Sequence, residues 1–235
     1  MNSENTITAI VSCQGVSKTY RQGKVSVAAL SEIDLVAETG EFLALAGPSG
    51  SGKTTLLNLI GGLDVPDDGQ IKVGGQSYDE LSDAQMADLR LHHIGFIFQA
   101  YNLIPVLSAV ENVEYVMLLQ GTPTAERRQR AREILDIVGL EGKYDRRPAE
   151  LSGGQQQRVA VARAIVSSPD IVLADEPTAN LDSKTGESLL ELMRQMNRER
   201  GVTFIFSTHD PMVMEYARRI VLLRDGRITE DNRKA

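Results

Sequence analysis

A glycine-rich segment, Gly47-Pro-Ser-Gly-Ser-Gly-Lys-Thr54, carries the clearest chemical signal in the sequence. It follows a short apolar run, Glu41 to Ala46, and precedes helix-forming residues that continue to Ile60. Glycines at this spacing let the backbone turn its N–H groups toward phosphate oxygens, and the N-terminus of a following helix attracts anions. The lysine and the threonine that end such a loop reach the terminal phosphates and Mg²⁺, respectively. The segment therefore predicts a binding site for the phosphates of a nucleotide, with Lys53 and Thr54 in these two roles.

Two adjacent carboxylates end an apolar segment further along the chain. In Ile171-Val-Leu-Ala-Asp-Glu176 the apolar residues predict a buried strand, and Asp175 and Glu176 follow at its end. Asp175 is placed to serve a metal ion, and Glu176 is placed to orient or deprotonate a water molecule that attacks a terminal phosphate. Acidic residues also end strands because they begin turns. Together with the phosphate loop, however, the segment favours the catalytic interpretation.

Two glycines in the first turn of a predicted helix are a third unusual feature. In Leu151-Ser-Gly-Gly-Gln155, Ser152 is suited to cap the helix, whereas each glycine destabilises it by about 1 kcal/mol relative to alanine. A helix N-terminus without side chains lets a ligand approach the backbone, which predicts a second anion site. The alternative is an ordinary capped helix with a flexible first turn. This pentapeptide alone leaves both interpretations open.

An α/β framework is needed to bring these motifs together. The first forty residues alternate apolar and polar positions, which predicts antiparallel strands. Buried strands are predicted at Glu41–Ala46, Ile171–Ala174 and Val202–Phe206. The helix before the last of these has its apolar residues on one face. Alternation of strands and helices implies a mostly parallel sheet that is covered by helices.

The middle of the chain is predicted to be mainly helical, from Ser82 to Ser167. An apolar stripe, ended by Gly139, lies between three capping boxes. The stripe comprises Ala131, Ile134, Leu135 and Val138, and the boxes pair Ser82 with Gln85, Ser108 with Glu111 and Ser152 with Gln155. We expect one domain with two lobes: a core lobe of about residues 1–99 and 169–235, and an inserted helical lobe of about residues 100–168.

Composition and charge exclude several classes of protein. The 235 residues are 42% hydrophobic and 24% charged, which excludes a disordered or low-complexity chain. A net charge of −7 disfavours non-specific binding to nucleic acid. The single cysteine, Cys13, cannot form an internal disulfide and fits a reducing cytosol. The apolar runs fall far short of the ~20 residues of a membrane-spanning helix, so work at a membrane is expected to need another chain.

Together these motifs resemble those of ABC-transporter ATPase subunits, over nearly the whole chain. In that family the phosphate loop is the Walker A motif, Asp175 and Glu176 match the Walker B carboxylates, and Leu151–Gln155 matches the family signature. The resemblance implies an α/β, P-loop NTPase core with a mostly parallel sheet, an N-terminal antiparallel β subdomain and an inserted α-helical subdomain. It also implies hydrolysis of ATP, with Mg²⁺ as cofactor.

The resemblance assigns roles to residues outside these motifs as well. Tyr20 matches the aromatic residue that stacks on adenine, Gln99 matches the glutamine that reaches Mg²⁺ and the attacking water, and His209 matches the histidine that contacts the γ-phosphate. Asp182, in Ala179-Asn-Leu-Asp182, matches a loop that crosses to a second subunit, although it could equally be only a helix cap.

The resemblance therefore implies three sets of site residues. The catalytic residues are Glu176, His209 and Gln99, and the metal ligands are Thr54, Gln99 and Asp175. The nucleotide-binding residues are Tyr20, Gly47, Pro48, Ser49, Gly50, Ser51, Gly52, Lys53, Thr54 and Thr55 and, in the second copy of a head-to-tail dimer, Ser152, Gly153, Gly154 and Gln155.

Three further segments resemble one branch of the family, the ATPases of lipoprotein-release, macrolide-export and cell-division complexes. They are Gly61-Gly-Leu-Asp64, Asn102-Leu-Ile-Pro105 and Ala174-Asp-Glu-Pro-Thr178. Members of this branch drive a permease that has few membrane helices and a large extracytoplasmic domain. The resemblance thus implies an ATP-dependent homodimer at the cytoplasmic face of the membrane, held there by a permease that contacts residues 99–107.

Two other functions fit the sequence less well. A soluble ABC-type ATPase that acts on nucleic acid or ribosomes would carry a long coiled-coil insertion or two ATPase units, and the sequence has neither. A non-hydrolysing regulatory subunit is disfavoured by the complete set of catalytic residues, with Glu176 in place.

Overall fold

The computed structural model describes residues 9–23 and 25–234, so residues 1–8 of the predicted core lobe, Lys24 and Ala235 lie outside the described part. The strands are β1 (Ala9–Gln22), β2 (Val25–Glu38), β3 (Phe42–Ala46), β4 (Asp68–Val73), β5 (Gln76–Ser77), β6 (Ile94–Ile97), β7 (Ile171–Asp175), β8 (Thr203–Thr208), β9 (Arg219–Arg224) and β10 (Arg227–Arg233). The helices are α1 (Lys53–Ile60), α2 (Asp83–His93), α3 (Ala109–Leu119), α4 (Thr124–Ile137), α5 (Gly153–Ile165), α6 (Ser183–Arg200) and α7 (Pro211–Tyr216).

Two sheets organise these elements. Strands β2, β1, β4 and β5 form an antiparallel sheet in that order. The second sheet has the order β10-β9-β3-β8-β7-β6, in which the strands from β9 to β6 are parallel and β10 pairs antiparallel with β9. This arrangement confirms the predicted P-loop α/β class, with its mostly parallel sheet and N-terminal antiparallel strands.

The parallel sheet is buried on both faces, and successive residues of its strands alternate between two apolar clusters. Leu43 and Ile205 belong to the cluster that includes α1 and the antiparallel sheet. Phe42, Phe204 and Phe206 belong to the cluster that includes α3 to α6. Strands that bury both faces read as continuous apolar runs, which is why β3, β7 and β8 were recognisable in the sequence.

The helices of the predicted helical stretch, Ser82 to Ser167, form as their apolar residues and caps predict. All three predicted capping boxes are present, at the starts of α2, α3 and α5. The predicted stripe on α4 and the residue after it is buried, and Gly139 follows at φ 76°. One apolar cluster joins α3, α4 and α5 to Phe42 and Ile97 of the core lobe, whereas Leu89 of α2 belongs to the other cluster. The lobe boundaries near residues 100 and 168 stay a prediction. Within the described ranges, each helix is too short or too polar to cross a lipid bilayer.

Strand β6 interrupts the helical stretch that was predicted from Ser82 to Ser167. It pairs in parallel with β7 at the edge of the sheet. Four residues are too few for periodicity to distinguish a strand from a helix, so the pairing with β7 decides the conformation. Gly95 makes this position possible, because a Cβ there would lie 2.2 Å from the carbonyl oxygen of Ala164 in α5.

Candidate active site

The carboxyl ends of four neighbouring strands meet at one edge of the parallel sheet. β3 leads into the phosphate loop, β8 leads to His209, β7 ends at Asp175 and β6 leads to Gln99. The register places Ala46, the last residue of β3, beside Thr208, the last residue of β8. Ligands of open α/β sheets bind beyond this edge. The topology therefore gathers predicted site residues that are far apart in the sequence.

The phosphate loop, Gly47–Thr54, is closely packed at two of its glycines. A Cβ at Gly47 would lie 2.1 Å from the carbonyl oxygen of Leu223, and one at Gly52 would lie 2.5 Å from that of Ala29. Gly52 also has φ 101°, a conformation that favours glycine. Within the described part of the chain no side chain caps α1, so its first N–H groups are available to phosphate oxygens.

Lys53 holds its ammonium group inside the loop. Its Nζ donates hydrogen bonds of 2.8 and 2.9 Å to the carbonyl oxygens of Gly47 and Pro48. Burial lowers the pKa of Lys53, while the nearby carboxylates of Glu176 and Asp175 oppose this lowering. The cation thus lies between its own loop and the two acidic residues at the end of β7.

Thr54 and Asp175 place two oxygen atoms side by side. The Thr54 hydroxyl donates to Asp175 Oδ1 at 3.0 Å, and Gln99 lines the same cleft. Hydroxyl, carboxylate and amide oxygens are the hard ligands that Mg²⁺ takes in proteins, beside the phosphates that it neutralises. The predicted set of donors therefore fits this cation.

Glu176 and His209 form a hydrogen-bonded pair. His209 Nδ1 lies 2.7 Å from Glu176 Oε1, and the Thr208 hydroxyl donates to Glu176 Oε2 at 3.4 Å. Glu176 is a non-glycine residue at φ 46°, held there by the bond of its N–H to the Ser207 carbonyl oxygen. Unusual backbone conformations of this kind concentrate at functional sites. Two neighbours thus fix the direction of the carboxylate.

A cleft of about 510 Å³ joins these groups. Its lining comprises Val27, Ala28, Ala29, Pro48, Ser49, Gly50, Ser51, Gly52, Lys53, Thr54, Thr55, Gln99, Glu176 and His209. The β2 wall, Val27–Ala29, was missed by the sequence analysis, since small apolar residues in a predicted strand carry no chemical signal. Close packing of Ala29 on Gly52 brings this strand to the loop.

Tyr20 is not among the described residues that line this cleft. Its hydroxyl donates to Asp64 Oδ2 at 2.6 Å, and 38% of the residue is exposed. Burial raises the pKa of Tyr20, the bond to Asp64 adds to this rise, and the hydroxyl of Thr55 opposes it. Tyr20 therefore stands next to Thr55, at the margin of the cleft.

The signature residues lie apart from the phosphate loop. Ser152 accepts a hydrogen bond from the N–H of Gln155, and Ser152–Gln155 line a second hollow of about 380 Å³. The rest of its lining is Arg158, Asn180, Leu181, Asp182 and Thr185. The described linings of the two clefts share no residue. A single chain therefore brings the signature residues together with one another but not with Lys53.

Contacts within the chain also require glycine at two positions of the signature, Gly153 and Gly154. A Cβ at Gly154 would lie 2.5 Å from Cγ2 of Thr185, and one at Gly153 would lie 3.0 Å from the hydroxyl of Tyr101. From the pentapeptide alone, a ligand that approaches the backbone and a flexible first turn were both open as reasons for these glycines. Internal packing against α6 and the segment after β6 is a further physical reason.

Asp182 caps α6. Its carboxylate accepts hydrogen bonds from the N–H and the hydroxyl of Thr185, at 3.1 and 2.6 Å. The bond from the hydroxyl lowers the pKa of Asp182. Asp182 is therefore a helix cap. That this loop also crosses to a second subunit stays a prediction.

The order of the strands, the phosphate loop and the acidic residues at the end of β7 together define a P-loop ATPase fold. The model of the family described as "ABC transporter" matches residues 30–179, which is more than half of the chain. The chain belongs to this family and is an ABC ATPase.

Relatives fall in the branch that the sequence resembles. The chain is 47% identical over 226 residues to a macrolide export ATP-binding/permease protein, MacB, of Sodalis glossinidius, covering 96% of the chain and 34% of that relative. It is 44% identical to the lipoprotein-releasing system ATP-binding protein LolD of Chromohalobacter salexigens, covering 94% of each. The chain thus spans about a third of the length of one relative and nearly all of the other.

A solved structure of the same fold also matches. It is the dimeric, post-hydrolysis state of the ATP-binding cassette MJ0796 of Methanocaldococcus jannaschii, bound to ADP and Pi. The TM-score is 0.89 at 43% identity, with 95% of this chain and 98% of that chain covered.

Proposed function

We propose that the chain is the ATP-hydrolysing motor subunit of a bacterial ABC transporter or mechanotransmission complex, and that it drives a separate membrane permease. The observation that carries this proposal is the single cleft in which the phosphate loop, Lys53, Glu176 and His209 meet. A site that only bound nucleotide would not need the hydrogen-bonded carboxylate beside the loop.

Binding is assigned to the loop and its neighbours. The loop N–H groups and Lys53 hold the phosphates, and Tyr20 stacks on the base. Thr54, Asp175 and Gln99 would hold Mg²⁺, which neutralises phosphate charge when it is bound. The 3.0 Å hydrogen bond between Thr54 and Asp175 keeps two of these oxygen ligands side by side.

Catalysis is assigned to Glu176 and His209. The Glu176 carboxylate accepts a proton from the attacking water, and the 2.7 Å bond from His209 orients it. His209 is itself 67% exposed at its side chain, so it can also contact the γ-phosphate. The Glu176 carboxylate is thereby oriented by a histidine that can also contact the substrate.

The active unit is a head-to-tail homodimer. Each chain carries two separate half-sites, the cleft at the phosphate loop and the hollow at the signature. The first turn of α5 presents N–H groups of two glycines, which suits a phosphate held by the other copy. ATP therefore lies between Lys53 of one copy and Ser152, Gly153, Gly154 and Gln155 of the other.

The permease docks in a groove of about 570 Å³ beside β6. The groove lies between α2, α3 and α5, and its lining includes Leu91, Phe98, Asn102 and Leu119. Asn102 belongs to the segment 99–107 that was predicted to receive the permease. An apolar groove open to solvent marks an interaction site.

Two arginines give this groove a charge preference. Arg90 donates to the Gly62 carbonyl oxygen at 2.7 Å, and Arg163 donates to that of Asn102 at 2.6 Å. Neither arginine forms an ion pair in the described part of the chain. The groove therefore suits an apolar permease segment that also carries a carboxylate.

We propose a permease with few membrane helices and a large extracytoplasmic domain, as the resemblance to this branch implies. Relatives named for macrolide export and for lipoprotein release support the branch. Binding to such a permease places the chain at the cytoplasmic face of the membrane.

The test is Glu176→Gln in the purified chain. The amide keeps the shape of the side chain but removes its basic oxygen, so hydrolysis should fall by about 10²–10⁴-fold while ATP still binds. Because ATP is then not consumed, the variant should accumulate as a dimer in ATP but not in ADP, measured by size-exclusion chromatography with light scattering.

Glu141→Gln, at an exposed position, is the matched control and should behave as the wild type. Wild-type turnover in Glu176→Gln would remove Glu176 from catalysis. An inactive variant that stays monomeric at high ATP and protein concentration would contradict the shared site.

A further inference from the structure

Asp64 lies in the loop that follows α1, and both of its carboxylate oxygens are engaged. Oδ2 accepts the 2.6 Å hydrogen bond from the Tyr20 hydroxyl. Oδ1 accepts a 2.7 Å bond from the N–H of Val65 and lies 3.0 Å from Nζ of Lys18. Although burial alone would raise it, the bonds from Tyr20 and Lys18 lower the pKa of Asp64. The carboxylate therefore stays charged and joins Tyr20 to Lys18.

Lys18 ties the same loop to β1. Its side chain is only 11% exposed, and Nζ donates to the carbonyl oxygen of Val65 at 2.6 Å. The ammonium lies 5.5 Å from the centre of the Tyr20 ring. The main chain adds a further link, since the N–H of Thr19 donates to Asp67 at 2.7 Å. The end of β1 is thus attached to the loop by side chains and backbone together.

This attachment fixes the Tyr20 ring at both ends. The backbone of Tyr20 is paired with β2, and its hydroxyl is bonded to Asp64, so rotation about the side-chain bonds is restricted. The residue remains 38% exposed and stands next to Thr55, in the first turn of α1. Side chains fixed in their binding orientation lose less entropy when a ligand binds.

We propose that Asp64, together with Lys18, is a positioning residue for the nucleotide base: it anchors the Tyr20 hydroxyl so that the exposed ring is already oriented to stack on a purine. The inference rests on the proposed function, in which Tyr20 contacts the base. Tyr20, which contacts the base, is thereby attached to the loop that follows α1. In the proposed function, the first turn of the same helix binds the phosphates. Base and phosphate subsites are thereby held at a constant separation.

The test compares Tyr20→Phe, Asp64→Ala and the double variant, with binding of Mg-ATP and of Mg-tripolyphosphate measured by calorimetry. Each single variant should weaken ATP binding about threefold to tenfold, as expected when one freed side chain has to be immobilised on binding. The double variant should be no weaker than the weaker single variant, because both remove the same contact. Tripolyphosphate, which lacks a base, should bind with unchanged affinity.

Tyr115→Phe is the matched control, because Tyr115 is exposed to the same extent, 39%, in α3 and should show no change. Tyr20→Phe keeps the ring, so the test does not depend on whether Asp64→Ala folds normally. Unchanged ATP affinity in Tyr20→Phe and Asp64→Ala, or an equal loss of tripolyphosphate binding, would overturn the positioning role.

Tyr20→Ala separates this proposal from the one that it rests on. A loss of ATP affinity in Tyr20→Ala without a loss in Tyr20→Phe overturns the role of Asp64 alone. If Tyr20→Ala binds ATP with unchanged affinity, Tyr20 does not contact the base, and the positioning role of Asp64 is overturned as well. Hydrolysis and dimerisation in Glu176→Gln remain a separate measurement.

Discussion

The ammonium group of Lys53 is held by its own loop, in a position that suits the proposed binding of phosphate. The carbonyl oxygens of Gly47 and Pro48 occupy two of the three ammonium donors, which leaves a third for a ligand. The residue is 6% exposed, so its interaction with an anion is weakly screened by water. A buried, hydrogen-bonded cation of this kind stabilises developing negative charge without reorganising.

Replacing Lys53 by alanine should therefore abolish most of the activity. We expect hydrolysis to fall on the order of 10²–10³-fold or more, as when one preorganised donor is lost, and ATP binding to weaken. Steady-state ATPase assays and calorimetry measure the two effects. Lys72→Ala, on the exposed side of β4, is the control, and near-normal turnover in Lys53→Ala would refute the loop assignment.

The start of α5 meets two demands at once. Its glycines accommodate Thr185 and Tyr101 of the same chain, and they line a hollow at which they are only partly buried. Any side chain at Gly154 must displace Thr185, whatever its charge. A test of the anion site therefore needs a variant that has the same Cβ but no charge.

Gly154→Asp and Gly154→Ala form such a pair. Both should bind ATP as dilute monomers, since the signature hollow is separate from the phosphate loop. The carboxylate should block ATP-dependent dimerisation in Gly154→Asp, because it repels the γ-phosphate of the other copy, whereas Gly154→Ala should still form dimers. Light scattering in the Glu176→Gln background reports the difference. Loss of monomeric ATP binding in Gly154→Asp alone would assign the signature to the local site.

Strand β10 is attached to the core by an ion-pair network around Arg219. This arginine is 7% exposed and donates two 2.7 Å bonds to Asp231 of β10, while a further bond of 3.0 Å reaches Glu41. The bonds from Arg219 lower the pKa of Asp231. The pair therefore stabilises the fold at pH values where Asp231 is ionised.

Asp231→Asn should lower the free energy of unfolding by about 1–2 kcal/mol at pH 7. Because the folded-state pKa of Asp231 is depressed, its contribution is complete above the ordinary Asp value of about 4 and is lost as the pH falls through the folded value. The difference between wild type and variant should thus shrink below about pH 4 in urea titrations. Asp145→Asn, at an exposed position, should show neither effect.

Three surfaces of the described residues bear on the proposed function: the cleft at the phosphate loop, the hollow at the signature and the groove beside β6. The groove has exposed apolar residues at its rim, including Leu63 at 48% and Leu119 at 57%. Its floor includes Gly95 and Phe96 of β6, which continues toward Gln99 in the phosphate cleft. A partner seated in the groove is therefore connected to the nucleotide by a single strand and its following loop.

Leu119→Asp should disrupt binding of the permease, because it places a charge on the apolar rim of the groove. Co-purification of the permease from detergent-solubilised membranes should fall at least tenfold, since burying an unpaired carboxylate is costly. Nucleotide binding should not change, because Leu119 is not among the described residues of the phosphate cleft. Ile137→Asp, equally apolar and 44% exposed on α4, should retain the permease. Equal retention by both variants would move the docking site elsewhere.

The sequence alone determined much of the local structure. The phosphate loop, the acidic end of β7 and the three helix caps each depend on residues within a few positions of one another, and all of these elements formed as predicted. Buried strands such as β3 and β8 were recognisable because parallel strands bury both faces. The class of fold followed from the order of these elements.

Tertiary structure decided what depends on distant neighbours. β6 is a strand because it pairs with β7, and Ala29 reaches the phosphate loop because Gly52 has no side chain. Tyr20, at the end of β1, is anchored because the loop after α1 brings Asp64 within hydrogen-bond distance of its hydroxyl. The separation of the signature from Lys53 likewise depends on where α5 packs. Periodicity and spacing describe interactions within a segment, whereas these contacts join residues whose sequence separation leaves no local signal.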